Sequence, residues 1–128
     1  MEIEAICSET IGAAIEVHRH LGPGLLESAY ESCLAHELCS RGLKVENQKA
    51  LPVVYKNLKL DVGYRLDLLV EEALIVELKS VDELHPLHLA QVLTYLKQAG
   101  FSLGLLINFN VPLLRHGIKR VVHKHKTP

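Results

Sequence analysis

Gly63-Tyr-Arg-Leu-Asp-Leu-Leu-Val-Glu-Glu-Ala-Leu-Ile-Val-Glu-Leu-Lys-Ser80 decides how the chain is read. Leu66 to Val70 and Leu74 to Leu78 are apolar, with β-branched residues among them, as in buried strands. Three charges interrupt them: Asp67, Glu77 and Lys79. Alternate side chains of a strand share a face, so Glu77 and Lys79 point one way while Leu74, Val76 and Leu78 point the other, into a core. An apolar strand in a small domain tolerates charge poorly unless the charges pair or hold a metal. Two carboxylates and a lysine here therefore mark a site, although a Glu-x-Lys by itself is more often a solvated face or an ion pair. A geometric condition follows. A two-residue turn at Glu71-Glu72 would oppose Asp67 to Val76 and send the two carboxylates to opposite faces. A shared site requires an odd loop, the simplest being Glu71, Glu72 and Ala73, with Val70 opposite Leu74 and Asp67 opposite Glu77.

The chain has 128 residues, 48% of them hydrophobic, which suits one domain over 1–128 with one core. Neither a low-complexity stretch nor an internal repeat divides it. No apolar run is long enough to span a membrane, and Met1-Glu2-Ile3-Glu4 lacks the basic region of a signal peptide, so the expectation is cytoplasmic. Cys7, Cys33 and Cys39 lack Cys-x-x-Cys spacing and read as reduced thiols. Fourteen Lys and Arg against fifteen Asp and Glu give a formal charge of −1, too little to wrap nucleic acid by electrostatics alone. From Arg115 to Lys126 there is no acid. That tail could meet phosphate, but a solvated basic terminus is the favoured reading.

Taken in order, Thr10 to His20 reads as a helix with Ser8 or Thr10 as its cap, and Leu21-Gly-Pro-Gly24 ends it. A second helix runs from Leu25 or Leu26 to Arg41, with Leu26, Ala29, Tyr30, Cys33, Leu34, Glu37 and Leu38 on its stripe and Gly42 as its stop. Val45 to Tyr55 is strand, Lys56-Asn57 a hairpin turn, and Leu58 to Val70 one long strand that Gly63 kinks. Leu74 to Lys79 is the third strand. Pro86 to Gln98 is a helix that Gly100 closes. Leu103 to Phe109 is a buried strand, and Ile118 to His123 a last edge strand. The fold class is α/β, a mixed sheet flanked by helices in the order α-α-β-β-β-α-β with that edge strand added.

Three further features fit the central hairpin. Glu27 falls in the first turn of the second helix, where the helix dipole alone would favour it. Gln91 and Tyr95 lie four apart on the later helix and share a face, with His88 on the same stripe. Asp67 followed by Glu77-x-Lys79 on the next strand resembles the core of the PD-(D/E)XK nuclease superfamily. Gln91-x-x-x-Tyr95 resembles its recombination-repair exonuclease branch. Gly24, Glu27 and Tyr30 spell the motif of the GxxExxY family (PDDEXK_3) in that superfamily. The similarity covers about Ile11 to Val122, including Ile-Gly-Ala-Ala-Ile-Glu-Val-His near the start and Leu-Gly-Leu-Leu-Ile-Asn-Phe near the end.

The resemblance implies a restriction-endonuclease-like core and a Mg²⁺ (or Mn²⁺) site made by Glu27, Asp67, Glu77 and the backbone carbonyl of Leu78. Such hard cations take oxygen ligands. It implies catalysis by Glu27, Asp67, Glu77 and Lys79, Lys79 placing the attacking water and stabilising the transition state. Arg65, His88, Gln91 and Tyr95 are read as substrate-binding or orienting residues, with a satisfied core-edge histidine the safer reading for His88. His18, His20 and His36 lie on helices without carboxylate partners at ligand spacing, and His123 and His125 belong to the solvated tail. The leading function is a Mg²⁺-dependent nuclease acting on nucleic acid, DNA ahead of RNA, in repair or defence. The alternative is a catalytically silent nucleic-acid- or protein-binding module of the same fold. A buried ion-pair network with no binding role is the least favoured reading. One small domain offers little surface for a duplex, so a homodimer is also expected.

Overall fold

The computed structural model describes residues 1–125. Helix α1 (Ile3–Leu21) starts about two turns earlier than Thr10, because Ile3, Ile6 and Cys7 carry the apolar stripe further back into the core. Neither Ser8 nor Thr10 caps it. Glu2 is the N-cap, and the Thr10 hydroxyl donates within the helix to the Ile6 carbonyl at 2.8 Å. Helix α2 (Glu27–Ser40) buries Tyr30, Leu34 and Leu38, one residue per turn of the same stripe. Leu26 and Cys33, expected on that stripe, are exposed.

The stretch from Val45 to Tyr55 is two strands, β1 (Val45–Ala50) and β2 (Val53–Tyr55), separated at Leu51-Pro52, where proline has no N–H for a ladder. The Lys56-Asn57 turn joins β2 to β3 (Leu58–Leu60), with Tyr55 opposite Leu58. The single long strand expected over Leu58 to Val70 does not exist. It breaks at residues 61–64, where Gly63 adopts φ 83°, and resumes as β4 (Arg65–Val70). Then follow β5 (Leu74–Lys79), α3 (Pro86–Ala99), β6 (Leu103–Asn108), a 3-10 turn at Leu114–Gly117 that sequence reasoning missed, and β7 (Ile118–Val122).

The main sheet runs β1-β4-β5-β6-β7, and β2-β3 forms a separate hairpin. Only β5 and β6 are parallel, with α3 as their crossover; the other pairs are antiparallel. One face packs on α1 and α2 through Leu68, Val76, Leu105 and their neighbours, and the other on α3 through Leu69, Ile75 and Leu106. Cover on both faces is why β6 is apolar and buried throughout. This is a restriction-endonuclease-like mixed α/β arrangement. Among the described residues no helix is long and apolar enough to cross a membrane.

The basic C-terminal stretch is not simply solvated. Arg120 and His125 both pair with Glu4 of α1, the His125 Nε2 to carboxylate distance is 2.6 Å, and the His125 side chain is 5% exposed. Lys126 lies outside the described residues. His18 is buried and bonded to the Val111 carbonyl at 2.8 Å, while His20 does have a carboxylate neighbour, Glu16, at 2.7 Å on the exposed side of α1.

Gly117 closes the 3-10 turn against the end of β6. A Cβ built there would sit 2.1 Å from the Asn108 carbonyl oxygen, a backbone atom that cannot swing aside. Gly117→Ala is therefore expected to cost about 1–3 kcal/mol by overpacking. Denaturant melts check it, and an unchanged midpoint refutes it.

Candidate functional site

The β4–β5 connection holds the carboxylates in place. Val70 opposes Leu74, so the loop is the three residues Glu71, Glu72 and Ala73, joined by the bond from Ala73 N–H to Val70 O at 3.0 Å. The left-handed residues are Glu71 (φ 53°) and Glu72 (φ 54°), not Ala73. Such φ values are unusual without glycine, and tertiary bonds hold them. The Glu71 carboxylate accepts from Lys44 N–H at 2.6 Å, its N–H donates to the Lys44 carbonyl at 2.8 Å, and Glu72 pairs with the Lys44 ammonium at 2.6 Å.

Extending the Leu68–Val76 register by one residue brings Asp67 across from Glu77 on the α3 face of the sheet. Here side chains replace the ladder. The Asp67 N–H donates to a Glu77 carboxylate oxygen at 3.0 Å, and the Leu78 N–H donates to the Asp67 carboxylate at 2.8 Å. Glu77 is only 5% exposed. Burial, and next the charge of Asp67, push its carboxyl up from the ordinary 4.5 to about 8, against a smaller opposing pull from Lys79. At neutral pH Glu77 is thus largely protonated.

Lys79 follows on the same face, half-buried, at the carboxyl end of β5 and in register with Asn108 of β6. The site lies at the carboxyl ends of the two parallel strands, where open α/β sheets place ligands. Asn108, 2% exposed, holds that end: its amide oxygen accepts from Val81 N–H at 3.1 Å and from Asn110 N–H at 3.2 Å, and its nitrogen donates to the Val81 carbonyl at 2.9 Å. Sequence reading passed over Asn108 because it looked like one more residue of an apolar strand.

The Gly24 to Tyr30 segment is a buckle. The buried Tyr30 hydroxyl donates to the Gly22 carbonyl at 2.5 Å and accepts from Leu25 N–H at 3.1 Å, and its ring stacks on Phe109 at 4.4 Å between centroids. Ser80, just past Lys79, donates to the Leu25 carbonyl at 2.6 Å and ties this loop to the end of β5. Glu27 opens α2 and is exposed. Among the described residues no hydrogen bond joins it to Asp67 or Glu77, and no group of three or more His, Cys, Asp or Glu side chains stands at metal-binding spacing. The acid of α2 linked to the pair is Glu31, one turn on. It accepts from the Gln48 amide at 2.6 Å, and the same amide donates to Asp67 at 3.2 Å. Gln48 has φ 50° in β1, opposite Asp67 in a register that continues unshifted on either side, a left-handed residue with no sequence signal of its own.

On the α3 side, Gln91 donates to the Tyr95 hydroxyl at 2.9 Å. Burial raises the Tyr95 phenol, and the charges of Glu77, Tyr64 and Asp67 add to the effect; its ring packs in the cluster of Leu66, Leu69 and Ile75. His88 is engaged elsewhere: with His85 it forms the capping box of α3, its Nδ1 accepting from His85 N–H at 3.0 Å. Arg65 is exposed, its guanidinium 3.4 Å from the Gln48 carbonyl.

A family model described as PD-(D/E)XK nuclease superfamily matches residues 4–121. The chain belongs to that superfamily. No curated protein and no solved structure matches it. Superfamily members generally use divalent metals. Two crowded carboxylates, one of them pushed toward its protonated form by burial and then by its neighbour's charge, form a position that a divalent cation would relieve.

Proposed function

We propose that the protein is a metal-dependent nuclease that hydrolyses phosphodiester bonds of nucleic acid, with DNA favoured over RNA. One observation carries the reading: Asp67 and Glu77 face one another across a three-residue loop, with Lys79 two residues on along the same face. Asp67, Glu77, the Leu78 carbonyl and Glu27 would hold Mg²⁺ or Mn²⁺. An ion held there would supply Lewis-acid polarisation of the scissile phosphate and a more acidic water. Lys79 supplies fixed positive charge where the transition state gathers negative charge. Tyr95, oriented by Gln91, and Arg65 align the backbone of the substrate, and His88 braces α3 through its cap. The competing reading, a silent binding module, gains from the position of Glu27, which among the described residues has no hydrogen bond to the pair. Labelled single- and double-stranded DNA and RNA, incubated with Mg²⁺, Mn²⁺ or EDTA, test the proposal. Cleavage that needs the metal and vanishes in Asp67→Ala is expected; metal-independent cleavage, or none with either ion, refutes it.

A further inference from the structure

A second feature lies on the α3 side of the sheet, the side that carries the carboxylates. The β2–β3 hairpin stands apart from the main sheet and is held over α3 by a bond from Val54 N–H to the Gln98 side chain at 2.9 Å. Between hairpin and helix runs a groove of about 590 Å³, within the range of small-ligand sites. Its walls include Leu60, Val62, Tyr64, Gln91, Tyr95 and Gln98, and no residue lining it carries a formal charge. Tyr64 is 47% exposed, and its ring lies 6.3 Å from that of Tyr95 at an interplanar angle of 58°. Tyr95 lines the groove and also packs in the cluster of Leu66, Leu69 and Ile75, the strand neighbours of Asp67 and Glu77, so it links the two sites.

We propose that this groove holds a nucleobase of a single-stranded or frayed nucleic acid, stacked on Tyr64, while the adjoining phosphate reaches the Asp67–Glu77 end. The inference takes its ligand class from the nuclease reading. Its own ground is the match between a neutral groove and a charged end. The base is the flat, uncharged part of a nucleotide, with apolar faces and hydrogen-bonding edges, and the wall offers an exposed ring, aliphatic surface and two amides. A phosphate would find no cation there. An intact duplex keeps its bases stacked inside and turns phosphates outward, so it presents nothing that fits. The formal charge of −1 also gives no general field to hold a duplex.

Fluorescence anisotropy in EDTA, where no cleavage intervenes, separates the cases. The probes are a short dye-labelled single strand, the same backbone made of abasic residues, and the matching duplex. The single strand is expected to bind about tenfold or more tighter than either of the others, the scale of base–aromatic stacking. Tyr64→Ala should erase that difference and Tyr64→Phe keep it. Melting curves verify folding, and Val62→Glu, which places a charge in the groove at a half-exposed position, serves as a second variant with the same expected loss. Equal binding of the abasic chain or the duplex, or no response to Tyr64→Ala and Val62→Glu, overturns the inference. So does a dimer that forms in place of base-dependent binding and disperses in Tyr64→Ala, since the groove would then belong to a second copy. Parallel cleavage assays keep the two readings apart. Base-dependent binding without cleavage sinks the nuclease reading alone, and cleavage indifferent to missing bases sinks this one alone.

Discussion

Lys79→Ala is expected to lower the single-turnover cleavage rate by a factor of about 10²–10³ while leaving metal-dependent stabilisation in place. The ammonium sits on the same strand face as Glu77 and within its electrostatic reach, at the open end of β5. It is a donor to the reacting phosphate in this reading, so its loss removes an interaction made most strongly in the transition state. Lys79 is half-buried rather than packed in the core, and truncation should cost little stability. Asp67→Asn should differ in kind, losing cleavage and metal-induced stabilisation together. Thermal melts with and without Mn²⁺, beside quench-flow rates, distinguish the two. If Lys79→Ala cleaves at the wild-type rate, the role given to Lys79 is wrong. If it loses the metal response as well, Lys79 supports the fold of the site rather than the chemistry.

The second large effect is on stability. Without metal, Glu77→Gln is expected to raise the melting temperature by about 5–10 °C at pH 8 and to change it little at pH 4.5. Glu77 ionises near 8 in the folded chain and near 4.5 when unfolded. Between those values the folded state binds more protons, so stability falls as pH rises through that window and levels off above it. The slope is about 1.4 kcal/mol per pH unit at most, a few kcal/mol across the window. Glutamine carries no such penalty. Its oxygen can still accept from Asp67 N–H, and its amide can donate to the Asp67 carboxylate, as the protonated acid does. A ligand that binds only the folded state stabilises by mass action, about 2.7 kcal/mol at a hundredfold excess over Kd. Added Mn²⁺ should therefore stabilise wild type, more so as pH rises toward 8 and the Glu77 proton is easier to displace. Glu77→Gln should lose that response. A gain from Glu77→Gln that is the same at pH 4.5 and pH 8 would show that ionisation of Glu77 is not its source.

Much of the architecture was legible in residue order. Apolar runs, Pro86, Gly100 and the Lys56-Asn57 turn mark their elements because these are local signals, decided within a few residues. The paired carboxylates were legible too, as a condition: strand period two requires an odd loop if Asp67 and Glu77 are to share a face. That the loop takes three residues was settled by tertiary structure. Glu71 and Glu72 enter a backbone region that costs non-glycine residues energy, and Lys44, distant in sequence, supplies the bonds that offset it. The same limit explains the other differences. The strand expected from Leu58 to Val70 breaks because β2 and β3 pair only with each other, leaving 61–64 to carry the chain back to the main sheet. Glu27 carried a motif, yet Glu31 is the acid of α2 linked to Asp67, through a Gln48 in the left-handed region. His125 read as part of a solvated tail, yet the end of β7 brings it to Glu4 of α1. By itself the sequence determined the order of elements and the chemical character of the site. Tertiary structure alone decided which acid stands where, because those positions depend on backbone bonds and ion pairs between segments far apart in the chain.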